Sequence, residues 1–485
     1  MPPVHTGVLY YRVPYPRLAY PRLASDLNLF HTATGMTTPT PKATPRSQEN
    51  NRWGNLALLR LNAFGFGING MGSSMDAIIL PALTLVFVSD HLKNTYLGIL
   101  GFTGLALAAL VQLGIGSISD RVHFSLGRRV PFILWGAALV CLGLVGVGLA
   151  PNYAVLFAAW LLIQGSINIG YGPYQALIQD LVPTGRVGRA ASYKILSDAT
   201  GALVLIFVSG ELIGFATGSE LSFWLWLTLG ILGASLVVTA GITSSTVLAR
   251  ERARPETAPV ARAARSGPLP RLHPQLTRFV VSRLMLVVAI AAFQTFGLFF
   301  LRDVVELDNP AQALGRMILI IGGGLAVSVY LSGWVSDRVG RKPVVFAGAL
   351  GAAVSTIWML TANDAGQVLV IASAIGFSVG ALLSANWALA NDMGTSGREA
   401  LHMGIINLAN IGGAGVAKLM GPGIDLLNRL EPTVHILGYS HTVTGYSAML
   451  IGCGVLFLSG ALLLLPLKAN IRENLPSGQL PPTPA

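Results

Sequence analysis

Charged residues are scarce in this 485-residue sequence. Asp, Glu, Lys and Arg together make up 11% of it, less than half of the roughly 25% usual for a soluble globular domain. Cysteine is scarcer still, because only Cys141 and Cys453 occur, each inside an apolar run and far from any cluster of His, Asp or Glu. The low charge argues against an ordinary soluble enzyme, and the two cysteines indicate neither a disulfide framework nor a metal site.

Apolar runs are abundant instead. Apolar residues account for 53% of the chain, and stretches of about 20 residues with almost no charge recur, long enough to cross a hydrocarbon layer roughly 30 Å thick. We therefore expect a polytopic, all-α membrane protein. The twelve predicted spans lie at about 56–88, 94–117, 130–150, 154–178, 189–216, 221–246, 279–301, 313–334, 343–361, 366–390, 399–426 and 443–467.

The net charge of +11 is explained by the loops that carry the basic residues. If the chain enters the first span from the cytoplasm, Arg and Lys gather in the cytoplasmic loops, and only Lys93, Arg302, Arg316 and Arg429 lie on the other side. This positive-inside distribution predicts a multi-pass protein of the plasma (inner) membrane with both termini in the cytoplasm. The basic charge then reports orientation in the lipid bilayer, and no nucleic-acid partner is expected.

The stretch 247–277 lacks apolar periodicity and divides the spans into two sets of six. Its Arg, Ala and Pro residues are typical of a flexible linker. The N-terminal tail contains the tandem YPRLAYPRLA and nothing that the fold requires, so Met36 is an alternative start. The predicted organisation is a disordered cytoplasmic tail (1–55), a six-helix bundle (56–246), a cytoplasmic linker (247–277), a second six-helix bundle (278–467) and a cytoplasmic tail (468–485).

A repeated motif relates the two sets of spans. GSISDR and GRRVP follow the second span, and GWVSDRVGRKP follows the eighth. After the fourth and tenth spans the match recurs, with Asp180 before Gly185-Arg186 and Asp392 before Gly397-Arg398. Two copies at near-constant offset predict two pseudo-symmetric six-helix bundles.

With twelve spans split six and six, these motifs resemble the major facilitator superfamily. DRVHFSLGRRVPFILWG and the stretch from Gly172 to Asp180 resemble, more narrowly, the sucrose-transporter-like branch of the glycoside, pentoside and hexuronide carriers. The resemblance covers about 56–467 and implies a secondary transporter. The fourth span departs from the plant-type pattern, because Gln164 and Gln175 stand where that group has an Asp and an Arg. Neither sucrose nor the usual proton site follows from the resemblance.

The charged residues of the repeated motifs form a predicted cytoplasmic latch. A helix N-terminus stabilises a nearby carboxylate, and Arg can bind a carboxylate through two hydrogen bonds. The resemblance implies that Arg121 pairs with Asp180, and Arg338 with Asp392, when the cytoplasmic side is closed. The alternative is that these charges only anchor loops at the membrane interface. The predicted latch residues are Asp120, Arg121, Arg128, Arg129, Asp180, Asp337, Arg338, Arg341 and Asp392.

A polar stripe on the fourth span predicts a substrate site near the bilayer midplane. Gln164, Asn168, Tyr171 and Gln175 lie at i, i+4, i+7 and i+11, which is one side of a helix. An indole face beside amides suits a sugar ring, whose hydroxyls need fixed partners. The alternative is hydrogen bonding between helices without a ligand. Candidates from other spans are Gln294, Asn386 and Trp387.

Asp76 is an acid deep within the first span, on the face that carries Asn62 and Asn69. An unpaired carboxylate there would be a proton or sodium carrier, whereas a position above the midplane would leave it in contact with water. Snorkelling to the interface explains Lys418 at least as well as ligand binding. On the fifth span, Lys194 and Asp198 stand four residues apart and are predicted to pair with each other.

The sequence therefore predicts a secondary active transporter of a small solute, above all a sugar or glycoside, working by alternating access, with proton or sodium coupling as an option. The alternatives are a drug or metabolite exporter of the same superfamily and a non-transporting assembly or sensor protein. We find no HExxH motif and no nucleotide-binding loop, so neither an enzyme nor a cofactor is expected. A monomer is expected.

Overall fold

The computed structural model describes residues 53–122, 124, 126–215, 220–252, 274–392, 399–430, 433–436, 439–442 and 444–466. Within these ranges, the backbone alone is described at 113, 116, 117, 120, 121, 252, 388, 390–392, 399–405 and in the two strands.

The described residues form a long helical array. The first six membrane helices are α1 (Asn55–Phe87), α2 (Lys93–Arg121), α3 (Val130–Gly148), α4 (Tyr153–Leu181), α5 (Val187–Gly214) and α6 (Leu221–Arg252). The following helices are α7 (Pro274–Asp303), α8 (Pro310–Val339), α9 (Arg341–Trp358), α10 (Ala365–Asp392), α11 (Glu399–Lys418), α12 (Gly421–Leu430) and α13 (Gly445–Leu462). Eleven spans within the described residues are long and apolar enough to cross a membrane, which confirms the predicted all-α membrane fold with about twelve helices.

The eleventh predicted span, 399–426, extends beyond the end of the helix that the structure has there. Helix α11 ends at Lys418, and the separate short helix α12 begins at Gly421. Two short antiparallel strands follow, β1 (Thr433–Ile436) and β2 (Tyr439–Thr442). This hairpin is an addition to the all-α prediction, and it lies in the loop before α13.

Local sequence signals account for several helix boundaries. Asn152 accepts a hydrogen bond from the backbone N–H of Val155 at 3.1 Å and so caps α4. Thr444 and Ser447 form a capping box at the start of α13. Pro131 occupies the first turn of α3, where its missing N–H has no partner to lose.

Helix α1 contains a π-helical turn over Met75–Ile79. Pro81 follows this turn, and proline can neither donate a backbone hydrogen bond nor fit against the carbonyl four residues earlier. Such single π turns are frequently found at functional sites. The predicted carboxylate Asp76 lies within the turn.

Contacts between helix ends define two ends of the structure: Asn62 near the start of α1 binds the backbone of Ala190 near the start of α5, and Lys93 at the start of α2 binds Asp303 at the end of α7. We call the end at which α1 begins the near face and the end at which α1 finishes the far face. Glycines allow close packing between the first six and last six helices. Gly98 packs against the backbone of Lys418, Gly421 against that of Asn94, and a Cβ at Gly210 would lie 2.7 Å from the carbonyl oxygen of Ala311. Small residues of this kind are typical of contacts between membrane helices.

Candidate functional site

A cavity of about 220 Å³ lies between α1, α2, α4 and α11. One side of its lining is polar and uncharged, and the other side is apolar. The polar residues are Asn69, Gln112, Gln164, Asn168 and Tyr171. The apolar residues are Ile68, Leu105, Ala108, Ala109, Ile167 and Ile411. Helix α11 thus contributes to a cavity formed mainly by the first six helices.

Two amides of the polar wall are held by their own helices. Asn168 Nδ2 donates to the carbonyl oxygen of Gln164 at 2.9 Å, and Asn69 Nδ2 donates to that of Gly65 at 3.1 Å. The side-chain amides of Gln112 and Gln164 form no hydrogen bond with the described residues. These two amides are therefore available to a solute as donors and acceptors.

The structure brings only part of the predicted site to this cavity. Gln164, Asn168 and Tyr171 line it, as the helical spacing on α4 implies. Gln175 is exposed and Gln294 is half-buried, and neither lines the cavity. Gln112 was not predicted, although a glutamine inside the apolar run of α2 was a usable signal.

A charged cluster adjoins the cavity at Tyr171. The predicted pair is present, since Lys194 Nζ lies 2.6 Å from Asp198 Oδ2. Lys194 also donates to the Tyr171 hydroxyl at 3.0 Å and lies over the rings of Tyr171 and Tyr174, at 5.0 and 5.5 Å from their centroids. Tyr174 in turn donates to the carbonyl oxygen of Asn62 at 3.1 Å. The cluster ties α5 to α4 and α1 beside the polar wall.

Asp76 is paired in the structure. Lys418 Nζ lies 2.7 Å from Asp76 Oδ1 and 2.9 Å from Oδ2. The side chain of Lys418 is 8% exposed and that of Asp76 26% exposed, which excludes simple snorkelling for the lysine. Gly101 leaves the space through which the Lys418 side chain passes. The ion pair joins α1 to α11 across the two sets of helices.

Asn386 and Trp387 do not line the cavity and belong to a second polar cluster. Arg283 Nη1 donates to Asn386 Oδ1 at 2.5 Å, and Arg283 Nε donates to Asn410 Oδ1 at 3.0 Å. The guanidinium carbon lies 4.5 Å from the centroid of the Trp387 ring. Arg283 and Asn410 were missed, although an arginine inside the seventh predicted span is itself a signal of function.

At the near face, Asp180 accepts hydrogen bonds from two of the predicted latch residues. Arg128 Nη2 and Arg129 Nε lie 2.9 and 3.0 Å from Asp180 Oδ2. Arg129 also donates to the Ser119 hydroxyl at 2.7 Å. The side chains of Asp120 and Arg121 lie outside the described residues, so the predicted pair of Arg121 with Asp180 stays a prediction.

The second copy of the motif is arranged differently in its described part. The side chains of Asp337 and Arg338 are exposed, and Arg338 stacks on Trp334 at 3.6 Å from the ring centroid. Arg341 is half-buried at the first position of α9. The side chain of Asp392 lies outside the described residues, and with it the predicted pair of Arg338 with Asp392.

At the far face, Asp425 of α12 binds the first turn of α2. Its Oδ2 accepts from the backbone N–H of Thr95 at 2.7 Å, and its Oδ1 accepts from Asn94 Nδ2 at 2.8 Å. A carboxylate at a helix N-terminus is favoured by the helix dipole. The Tyr446 hydroxyl accepts from Asn94 Nδ2 at 3.1 Å and donates to Asp303 Oδ2 at 2.8 Å. The sequence patterns did not predict this contact, which joins α2 to three later helices.

Further ion pairs join the two sets of helices at the same face. Lys93 lies 2.6 Å from Asp303. Arg302 donates to Asp90 Oδ1 at 2.9 Å, and this hydrogen bond lowers the pKa of the Asp90 carboxyl. Between α5 and α8, Glu211 accepts from Arg316 at 2.6 and 3.0 Å and from Gln312 at 2.7 Å. By contrast, the near-face ion pairs of the described residues lie within one set of six helices.

Solved transporter structures share this fold. A bacterial homologue of the human lysosomal transporter Spinster aligns with a TM-score of 0.60 and 17% identity over 84% of this chain and 93% of its own. A peptide transporter, POT, aligns with a TM-score of 0.61 and 14% identity over the same shares. The nucleoside transporter NupG gives 0.61 and 13%, over 84% of this chain and 98% of its own.

Curated relatives match a shorter part of the sequence. The sucrose transport protein SUT3 of Oryza sativa subsp. indica is 27% identical over 173 residues, which is 31% of this chain and 32% of that protein. The sucrose transport protein SUC4 of Arabidopsis thaliana is 28% identical over 193 residues, 36% of this chain and 34% of that protein. The chain thus matches about a third of the length of these relatives.

The family model described as Major Facilitator Superfamily matches residues 63–417, most of the described membrane helices. Family and fold are those of transporters, which act on small solutes in a membrane. The chain belongs to the major facilitator superfamily.

Proposed function

We propose that this protein is a secondary active transporter that moves a sugar or glycoside by alternating access. The uncharged polar wall of the cavity carries the proposal. Gln112 and Gln164 present free amides, and Asn168 and Tyr171 lie beside them. Such groups match hydroxyls, which both donate and accept hydrogen bonds.

The chemistry of the lining favours a neutral solute over an ion. The described lining contains no charged side chain, so a carboxylate or ammonium group would enter the cavity without a counter-charge. The apolar wall, which includes Ile167 and Ile411, suits the C–H face of a sugar ring. The curated relatives named as sucrose transport proteins support the same class. Because Gln164 and Gln175 replace charges of that group, the solute need not be sucrose.

Contacts at the two faces support alternating access. At the far face, Asp425, Asp303 and Glu211 bind groups from the other set of helices. At the near face, the pairs of Asp180 with Arg128 and Arg129, which are those seen among the described residues, lie within its own set. This pattern is expected for a conformation closed at the far face and open at the near face. Under the positive-inside rule, the near face and both termini are cytoplasmic in the plasma membrane.

The pair of Asp76 with Lys418 is our candidate for ion coupling. The pair joins α1 to α11, and Asp76 lies in the π-helical turn of α1. Protonation of the carboxylate, or binding of sodium to it, would weaken its attraction for the lysine and release the two helices from each other. Binding of the cation to Asp76 would thereby be coupled to the movement of α1 relative to α11, and so to the movement of the solute.

Thermal stability of the purified protein tests the solute class, because a ligand that binds the folded state stabilises it. The screen contains neutral sugars and glycosides, drug-like cations and amino acids. We expect sugars or glycosides to raise the midpoint of unfolding in the wild type and in Gln175→Leu, whose glutamine lies outside the cavity, but not in Gln164→Leu. Stabilisation by drug-like cations alone, unaffected by Gln164→Leu, would contradict the proposal and favour an exporter.

A further inference from the structure

Arg283 is a buried cation without a carboxylate partner. Only 5% of its surface is exposed, similar to the burial of Lys93, Arg129 and Lys418. Each of those three pairs with an aspartate. Arg283 forms no such pair with any of the described residues, and its hydrogen bonds end on neutral amide oxygens. A buried charge without a counter-charge is strongly unfavourable, so this site calls for an anion.

Asn386 supplies a second unused donor at the same place. A guanidinium group can only donate hydrogen bonds, so the oxygen of the Asn386 amide must face Arg283 and its nitrogen must point away. Nδ2 of Asn386 is buried and has no hydrogen-bond partner among the described residues. Arg283 also keeps donors beyond the two that bind Asn386 and Asn410. Asn386 Nδ2 and the remaining guanidinium donors of Arg283 therefore lack acceptors among the described residues.

The remaining neighbours hold this arrangement in place without neutralising it. Asn410 fixes the Nε edge of Arg283 from α11, and the Trp387 ring covers one face of the guanidinium at 4.5 Å. A cation–π contact attracts the charge but accepts no hydrogen bond at its edge. Trp387 is 42% exposed, which gives a small ligand access past the indole.

We propose that Arg283, Asn386 and Asn410 form a binding site for one small monoanion, either a halide or the carboxylate of an organic acid. The planar guanidinium edge matches both, because it presents several N–H groups in a fixed arrangement. None of these three residues lines the uncharged cavity at Gln164, so the anion site goes beyond the proposed sugar transport and does not depend on it.

The test measures the thermal midpoint of the full-length purified protein in low-salt zwitterionic buffer, titrated with sodium chloride or with sodium acetate. Arg302→Gln is the matched control, since Arg302 is more exposed and already binds Asp90. We expect a saturable rise of the midpoint in the wild type and in Arg302→Gln, and an apparent affinity at least tenfold weaker in Arg283→Gln. A response to chloride alone identifies a halide site, and a response to acetate alone identifies a carboxylate site.

A second variant keeps the test decisive if Arg283→Gln fails to fold. Asn386→Asp conserves volume and places a carboxylate beside the guanidinium. We expect it to unfold at a higher temperature than the wild type without added anion, and to lose the response to both salts. The proposal is overturned if the wild type shows no saturable response to either anion, or if Asn386→Asp is less stable and responds as the wild type does. No sugar is used, so failure of the sugar proposal would leave this result interpretable.

Discussion

Lys418, the last residue of α11, donates hydrogen bonds to both carboxylate oxygens of Asp76 in α1, at 2.7 and 2.9 Å. The two residues stand 342 positions apart in the chain. Because the lysine is nearly buried, removing either partner leaves a poorly solvated charge, and the contact can stabilise only conformations in which α1 and α11 lie together.

The first prediction concerns this pair. Asp76→Asn and Lys418→Met should each lower the free energy of unfolding by about 1–3 kcal/mol, because a partly buried charge loses its partner. The double variant should be less destabilised than the sum of the two changes, and thermal denaturation of all four proteins measures the coupling. Strict additivity would show that the two charges do not stabilise each other.

Asp76→Asn also tests coupling. It should abolish uphill accumulation driven by a proton or sodium gradient in proteoliposomes while solute exchange stays largely intact, since exchange needs no net ion movement. Gradient-driven accumulation at the wild-type level would rule out Asp76 as the coupling residue.

The second prediction concerns the far face. Asp425→Asn should favour opening of that face, because the negative charge at the N-terminus of α2 is lost. A cysteine placed at Ala109 on the cavity wall, in a background without Cys141 and Cys453, reports access by its rate of labelling from the far side. Labelling should accelerate several-fold, whereas Asp308→Asn, on an exposed aspartate of the same face, should leave the rate unchanged. Equal rates in both variants would contradict the role of Asp425.

The third prediction concerns the near face. Asp180→Asn should favour the near-face-open state, because Asp180 is the predicted partner of Arg121 when that face is closed. The same reporter at Ala109 should become more accessible from the near side, opposite to the change expected for Asp425→Asn. A shift in the same direction as Asp425→Asn would remove Asp180 from the latch.

The fourth prediction concerns pH. The hydrogen bond from Arg302 lowers the pKa of Asp90 in the folded protein, so the pair contributes stability above the unfolded value of about 4 and loses it as the pH falls through the folded pKa. The effect is small because Asp90 is well exposed. Between pH 6 and pH 3, the thermal midpoint of Asp90→Asn should fall less steeply than that of the wild type. Parallel curves would show that the pair has no net effect.

Helical periodicity explains what the sequence could predict. The spacing of Gln164, Asn168 and Tyr171 identified one face of α4, and Lys194 with Asp198 is a local pair of one helix turn. Long apolar runs likewise located the membrane helices. These signals lie within a single helix, where geometry alone decides which residues are neighbours.

Contacts between helices far apart in the chain could not be read in this way. The pair of Asp76 with Lys418, and that of Asn94 with Asp425, depend on how α1, α2, α11 and α12 pack, and a helix face does not specify its partner. Gln175 continues the stripe of α4 one turn beyond Tyr171, and the cavity lining includes Tyr171 but not Gln175. The spacing along one helix does not show how far a cavity extends.

Uptake into proteoliposomes tests the central claim most directly. Vesicles preloaded with the sugar or glycoside that stabilises the protein should accumulate labelled solute by counterflow when they contain the wild type or Gln175→Leu. Gln164→Leu changes a residue on the cavity wall of the same helix. Its uptake should be lower by about tenfold or more, which corresponds to about 1.4 kcal/mol, the contribution of one hydrogen bond. Equal uptake by Gln164→Leu and Gln175→Leu, at the wild-type rate, would show that the cavity is not where the solute binds.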